Sequence, residues 1–246
     1  MFRLDKKVAI VTGAARGLGA ATVRVLARQG ARVAAADIAD EELASLAAEL
    51  GASVRAYPVD VSEVEQLKRW VADVERDMGR IDILVNNAGI CPRLPFEQST
   101  EADWDKLMSV NAKSQYFLCQ AVWPVMKRQG GGRIINLCST GGRVGGFANS
   151  SIYSGTKGAI AMFTKSIARE VAADGILVNA VAPGVVDTDL VRNLPREKLE
   201  AICAQIPLGR LADPAEVAAL IAFLASDECS YCTGAMFDVN GGWVML

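Results

Sequence analysis

Histidine is missing from all 246 residues, and that absence removes Ser-His-Asp and Cys-His catalysis together with every zinc site that needs an imidazole. Any general acid or base must then be a carboxylate, lysine, cysteine or tyrosine. No apolar run reaches the roughly 18 residues of a membrane span. The opening Met1-Phe2-Arg3-Leu4-Asp5-Lys6-Lys7 carries charge where a secretory signal needs its apolar stretch. Excess charge is lacking too: 26 Lys and Arg against 28 Asp and Glu leave a net charge of -2, which supplies no attraction to nucleic acid or an anionic membrane surface. The expectation is a soluble, cytoplasmic protein that acts on a small molecule, with no nucleic-acid, membrane or metal partner.

Cysteine is sparse and scattered, at Cys91, Cys119, Cys138, Cys203, Cys229 and Cys232. Without a secretory signal these read as reduced, mostly buried thiols. Cys229-Ser230-Tyr231-Cys232 has C-x-x-C spacing, but no second pair completes a ligand set. Apolar residues, in contrast, make up 51% of the chain and lie in short segments. That pattern excludes disorder and allows one large core.

Residues 7–11 form a β-rich run that ends at Thr12-Gly13, and an Ala/Leu/Val helical pattern follows over 17–28. Residues 32–37 read as a second strand, after which Asp40 is placed to cap a helix that stops at Gly51. A third strand over 53–58 precedes Ser62-Glu63-Val64-Glu65, which has the pattern of a capping box for a helix ending near Gly79. Strands over 81–85, 133–137 and 176–181 alternate with long helices around 103–128 and 151–173. Asp213-Pro214-Ala215-Glu216 marks another helix start, and a last strand covers 235–239. The alternation predicts an α/β protein: a single-domain Rossmann-like doubly wound parallel sheet with helices on both faces, spanning 1–246 without linker or repeat.

Gly13, Gly17 and Gly19 space their glycines as G-x-x-x-G-x-G between the first strand and first helix. A turn without Cβ atoms lets backbone approach a pyrophosphate, while the helix points free N–H groups and its positive dipole end at that anion. Asp37 ends the second strand, where a dinucleotide fold places the acid that accepts ribose hydroxyls. Asp60-Val61 ends the third strand, where an adenine ring would be bordered; simple turn chemistry is the alternative for Asp60.

With Thr12 to Gly19, Asn86-Asn87-Ala88-Gly89, Tyr153-Ser154-Gly155-Thr156-Lys157 and Pro183-Gly184 in hand, the chain resembles the short-chain dehydrogenase/reductase family from end to end. The resemblance implies NAD as cofactor and matches Ser139, Tyr153, Lys157 and Asn111 to the family's catalytic tetrad. By counting, Thr140 competes with Ser139. The resemblance also implies a cofactor site built from Gly13, Arg16, Gly17, Leu18, Gly19, Asp37, Ile38, Asp60, Val61, Asn87, Ala88, Gly89, Tyr153, Lys157, Pro183, Gly184, Val186 and Thr188. In it Asn87 lies beside the ribose, Thr188 binds the carboxamide and Asn86 braces the sheet. A homo-oligomer, tetramer or dimer, built on the two long helices is implied as well.

In this reading Tyr153 exchanges a proton with a secondary alcohol or ketone, and Lys157, one helical turn on, lowers its pKa below the ordinary ~10. Ser139 donates to the substrate oxygen, and Asn111 holds water that links Lys157 to solvent. A segment near 185–206 covers the substrate. Its Leu190, Val191, Leu194 and Ile202, with Leu94, Phe96 and Phe147, suggest an apolar substrate body. Two other readings stand behind this one: an NADPH-dependent 3-oxoacyl-(carrier protein) reductase docking its acidic carrier at Lys127 and Arg128, and an inactive NAD(H)-sensing protein. Asp37 speaks against the first, and the full tetrad against the second. Arg16, beside the expected ribose, either binds a 2′-phosphate or pairs with Asp37.

Overall fold

Alternating apolar side chains decide which helices cover which face of the sheet. In a computed structural model, which describes residues 2–146, 149–192 and 195–246, Ala9 and Val11 of β1 (Val8–Thr12) pack into one buried cluster. Val8 and Ile10 pack into another on the opposite side, as the two-residue period of a strand requires. The first cluster receives α1 (Gly17–Arg28), α2 (Asp40–Leu50) and α10 (Pro214–Ala225). The second receives α3 (Val64–Met78), α5 (Ser114–Arg128) and α7 (Ser151–Val171).

Among the described residues the seven strands are β1, β2 (Arg32–Asp37), β3 (Val54–Pro58), β4 (Ile83–Asn86), β5 (Gly132–Leu137), β6 (Ile176–Pro183) and β7 (Met236–Val239). They are ordered β3-β2-β1-β4-β5-β6-β7, and every pairing is parallel. The direction of winding reverses between β1 and β4, so the crevice above their carboxyl ends is where such a sheet receives a ligand. The remaining helices are α4 (Glu101–Leu107), α6 (Gly141–Val144), α8 (Asp189–Arg192) and α9 (Arg196–Gln205). No helix among the described residues is long and apolar enough to cross a membrane.

Local chemistry departs from expectation at three places. Asp40 does not cap α2: Ala39 holds the cap position with no side-chain bond, and Asp37 Oδ1 takes the Ala39 N–H instead. The capping box expected at Ser62 is absent because Asp60 Oδ1 accepts both the Ser62 N–H and its hydroxyl, and Glu63 becomes the cap residue. The long helix expected around 103–128 is interrupted by a π-helical turn, Met108–Lys113, between α4 and α5. By contrast, α10 has the box its sequence promises, with Asp213 accepting from Ala215, Glu216 answering to the Asp213 N–H and Pro214 in the first turn. All six cysteines are free thiols.

Candidate active site

The glycine turn after β1 is locked from two sides. Gly13 and Gly17 have φ of +63° and +54°, in the left-handed region that favours glycine. A Cβ on Gly13 would fall 2.8 Å from Ala88 Cα, and one on Gly19 would run into the Gly13 carbonyl oxygen. Thr12 Oγ1 accepts the N–H groups of Asn87 and Ala88 at 3.0 Å. Thr12 stands at the head of the glycine motif, but the sequence assigns it no role. The Asn87 side-chain amide donates to the carbonyls of Thr12 and Gly13. Asn87 therefore braces the glycine turn through its side-chain amide, a role that only the fold reveals. Asn86 does brace the sheet, donating to Asn136 Oδ1 at 2.8 Å.

The first turn of α1 has neither a side-chain cap nor an acidic residue, so the positive end of its dipole is open to an anion. A phosphate-bearing dinucleotide fits this turn because side chains neither fill the space nor neutralise the helix end. Leu18 follows Gly17 in that turn, and Thr188 lies directly over it, its methyl carbon 3.3 Å from where a Gly17 Cβ would be. Pro183 ends β6, and Gly184 is held beside Asn240 by its bond to the Val239 carbonyl. Val186 bridges to Ala212.

At the other end of the crevice, Asp37 Oδ2 accepts the Ala15 N–H at 3.0 Å, so the carboxylate is held against the turn by two backbone groups. Arg16 does not pair with it. That arginine is exposed, and among the described residues it has no ion pair. Ile38 is 74% exposed beside Asp37, Val61 is buried, and Asp60 performs turn chemistry with Ser62.

Ser139, Tyr153, Lys157 and Asn111 converge where β5 ends. The Ser139 hydroxyl bonds the Tyr153 phenol and pulls its pKa down, but burial acts more strongly and pushes it up to about 12. Thr140, the rival by counting, is buried, with its N–H on the Pro183 carbonyl. The Lys157 ammonium lies over the Tyr153 ring, 5.6 Å from its centroid, and donates to the Leu137 carbonyl at 2.7 Å. Burial pushes its pKa down to about 8. The expected lowering of the phenol pKa is thus overturned in the chain alone, because desolvation of a buried phenolate outweighs its neighbours.

Asn111 is fully buried, and its side chain forms a closed pair with Ile90, accepting from the N–H at 2.8 Å and donating to the carbonyl at 2.9 Å. It also donates to Thr156 Oγ1, whose hydroxyl donates to the Tyr153 carbonyl. Asn111 therefore ties the loop after β4 to α7, with both amide N–H groups engaged. Thr156 had a visible signal in its place between Tyr153 and Lys157. A Cβ on Gly89 would lie 3.3 Å from Asn111 Oδ1 and 3.7 Å from Lys157 Nζ, so this loop faces the lysine.

Of the apolar wall expected for a substrate, Val191 is buried and Phe96 is 82% exposed. Leu94 is pinned by its N–H to the Asn149 carbonyl, and Ile202 is half-buried. Phe147, Leu194 and the Leu190 side chain lie outside the described residues. Lys127 and Arg128, the basic pair considered for carrier docking, are already ion-paired to Asp174 and Glu75.

Comparison with known proteins agrees with this geometry. A profile of the family described as Enoyl-(Acyl carrier protein) reductase matches residues 13–244. The 3-oxoacyl-(acyl-carrier-protein) reductase of Thermotoga maritima is 42% identical over 99% of this chain and 100% of its own length. The acetoacetyl-CoA reductase of Shinella zoogloeoides is 41% identical over 96% of this chain and 98% of its own. The crystal structure of gox2181 superposes with a TM-score of 0.95 at 36% identity, covering 98% of this chain and 97% of that one. The chain therefore belongs to the short-chain dehydrogenase/reductase family of nicotinamide-dependent oxidoreductases.

Proposed function

We propose that this protein interconverts 3-oxoacyl and 3-hydroxyacyl thioesters, with NAD(H) as the preferred cofactor. From the sequence a generic secondary alcohol or ketone ranks first and an NADPH-dependent 3-oxoacyl-(carrier protein) reductase second; the names of the relatives favour the second. The observation that carries the reaction type is the phenol of Tyr153, half-buried, hydrogen-bonded to Ser139 and overlain by Lys157.

In reduction Tyr153 gives its proton to the ketone oxygen, and a phenol held protonated by burial suits that role. Ser139 donates to the same oxygen as negative charge gathers there. Lys157 supplies positive charge over the ring, and a pKa brought to about 8 lets it gain or lose a proton near neutrality. When bound, the nicotinamide supplies or accepts the hydride. Gly13, Gly17, Leu18 and Gly19 would hold its pyrophosphate; Asp37, Ile38 and Val61 the adenosine end; and Ala88, Gly89, Pro183, Gly184, Val186 and Thr188 the nicotinamide end. Residues 185–206 would cover the substrate.

Preference for NAD is supported by Asp37, whose carboxylate opposes a 2′-phosphate. NADPH is a second reading, favoured by the exposed Arg16 at the same end and by the relatives' kind. The ion pairs of Lys127 and Arg128 speak against carrier docking on that face and make a coenzyme A thioester the better first substrate. A homo-oligomer is proposed as well, supported by Trp104, Tyr116 and Met162, which stay exposed on α4, α5 and α7.

The test measures rates with acetoacetyl-coenzyme A, a 3-oxoacyl carrier protein and cyclohexanone, each with NADH and NADPH. A thioester should exceed cyclohexanone by at least about 100-fold in kcat/KM, and NADH should exceed NADPH by at least about tenfold. Equal or better efficiency with NADPH overturns the cofactor assignment, and absent turnover with intact NADH binding favours a sensor.

A further inference from the structure

Inside α5, one helical turn beyond Asn111, Gln115 is buried to 1% exposure. A polar side chain in such a place needs partners, and this one is only half satisfied. Its Nε2 donates to the Leu137 carbonyl at 3.3 Å. Its Oε1 is buried with no hydrogen-bond partner among the described residues. The amide orientation is set by that carbonyl, because turning it over would oppose two oxygens.

The Leu137 carbonyl is also where Lys157 Nζ donates, at 2.7 Å. Two donors from different helices thus meet on one oxygen at the end of β5, two residues before Ser139. For Lys157 to support Tyr153 and a bound ribose, its ammonium must loosen its hold on that oxygen. With Gln115 in place, the carbonyl keeps a donor after the lysine moves, so the move does not orphan a buried acceptor. The two donors, both presenting positive hydrogen, also oppose one another on the shared oxygen.

We propose that Gln115 is a positioning residue for Lys157, its side-chain amide sharing the Leu137 carbonyl so that the ammonium is released toward Tyr153 and the cofactor. This rests on the reading of Tyr153 and Lys157 as the working pair. Gln115 itself touches no reacting atom. The titratable groups that face Lys157 are Tyr153 on its own helix, Cys138 after β5 and Cys91 after β4. Arg93, Arg143 and Asp238 add charge from further out. None of these is a carboxylate in contact with the ammonium, so a carboxylate introduced at 115 would be a new kind of neighbour.

The experiment compares the full chain with Gln115→Met and Gln115→Glu, measuring Tm, NADH affinity by fluorescence and kcat across pH with the best substrate. Methionine keeps the volume without the donor. It should leave Tm nearly unchanged while kcat falls about three- to tenfold and NADH binds more weakly, since the lysine stays on Leu137. Glutamate should tether the ammonium, lowering kcat by at least about tenfold at neutral pH, and the ratio to wild type should recover as the carboxylate takes a proton in acid. Unchanged kcat and pH profile in Gln115→Met overturn the proposal, as does a loss confined to Tm. If Gln115→Glu does not fold, Gln115→Met decides alone. Near-normal turnover in Tyr153→Phe would remove the underlying reading. A dead Tyr153→Phe beside normal Gln115 variants would remove only this proposal.

Discussion

The glycine turn and the segment over residues 185–206 face each other across one crevice, yet they are built on opposite principles. The turn is held by backbone groups and short side chains: Ala14 N–H on the Ala36 carbonyl, Ala15 N–H on the Asp37 carboxylate, Asn87 and Ala88 N–H on the Thr12 hydroxyl. The segment is tied to the body at its base, where Asp187 and Val185 exchange bonds with Ala212. Beyond that base it carries exposed ion pairs, Arg192 with Asp187 and Arg196 with Glu200, and α9 buries no residue. Groups with few buried contacts open at low cost, so the glycine turn is the more firmly held of the two, and the described part of the segment, proposed above to cover the substrate, is the more yielding. Tyr153, Ser139 and Lys157 sit between them, on the rigid side.

The largest effect should come from the rigid side. Tyr153→Phe should lower kcat by at least about a thousandfold while NADH affinity stays within about threefold, because the hydroxyl carries the proton and the ring only packs. Stopped-flow rates beside fluorescence titration check this, and retained turnover would move the chemistry to a thiol or carboxylate. Ser139→Ala should cost roughly 2.7 to 4 kcal/mol of transition-state stabilisation, the price of one oxyanion donor, with Thr140→Val much milder. A reversed order would put the register at Thr140.

Stability offers a third test. Below about 8 Lys157 is charged in a site that disfavours charge, while the unfolded chain keeps its proton to 10.5. Between those values the unfolded state binds more protons, so this residue's destabilising effect fades as pH rises. Lys157→Met should therefore raise Tm near pH 7, by an amount equivalent to at most about 3 kcal/mol, and its advantage should shrink from about pH 8 upward. A pH-independent difference would mean that packing, not charge, is what changed.

Asp37→Asn should narrow the preference for NADH over NADPH by about tenfold or more, since a charge pair at about 4 Å is worth on the order of 4 kcal/mol at an effective dielectric of 20, before screening. Cofactor selectivity from kcat/KM reads it. The smallest effect belongs to the cover: Arg192→Gln should leave Tm within about 2 °C of wild type, as loss of an exposed ion pair does, and should raise KM for the substrate only a few-fold. A large fall in Tm would show the segment to be part of the frame, and the two regions would no longer differ in kind.

The legible part of the site was its backbone chemistry. Glycine at 13, 17 and 19, the acid at 37, the box at 213–216 and the tyrosine and lysine one helical turn apart are local patterns, and each stands where its motif predicts. Less legible were groups whose partner is distant in the chain. Ser62 looked like a cap until Asp60 took its hydroxyl, and the π-helical turn at Asn111 has no local signature of its own.

The sequence by itself determined the element order, the parallel sheet, the glycine turn after the first strand and the placing of a tyrosine and a lysine one helical turn apart, because these follow from strand and helix periodicity and from residues that alone can take a given backbone shape. Only the tertiary structure decided that Asn87 braces the turn, that Asn111 closes on Ile90, that Lys157 rests with Gln115 on the Leu137 carbonyl, and that burial outweighs charge at Tyr153. Hydrogen bonds and desolvation depend on distance and on what surrounds a group, and a buried donor is claimed by the acceptor that the fold brings nearest.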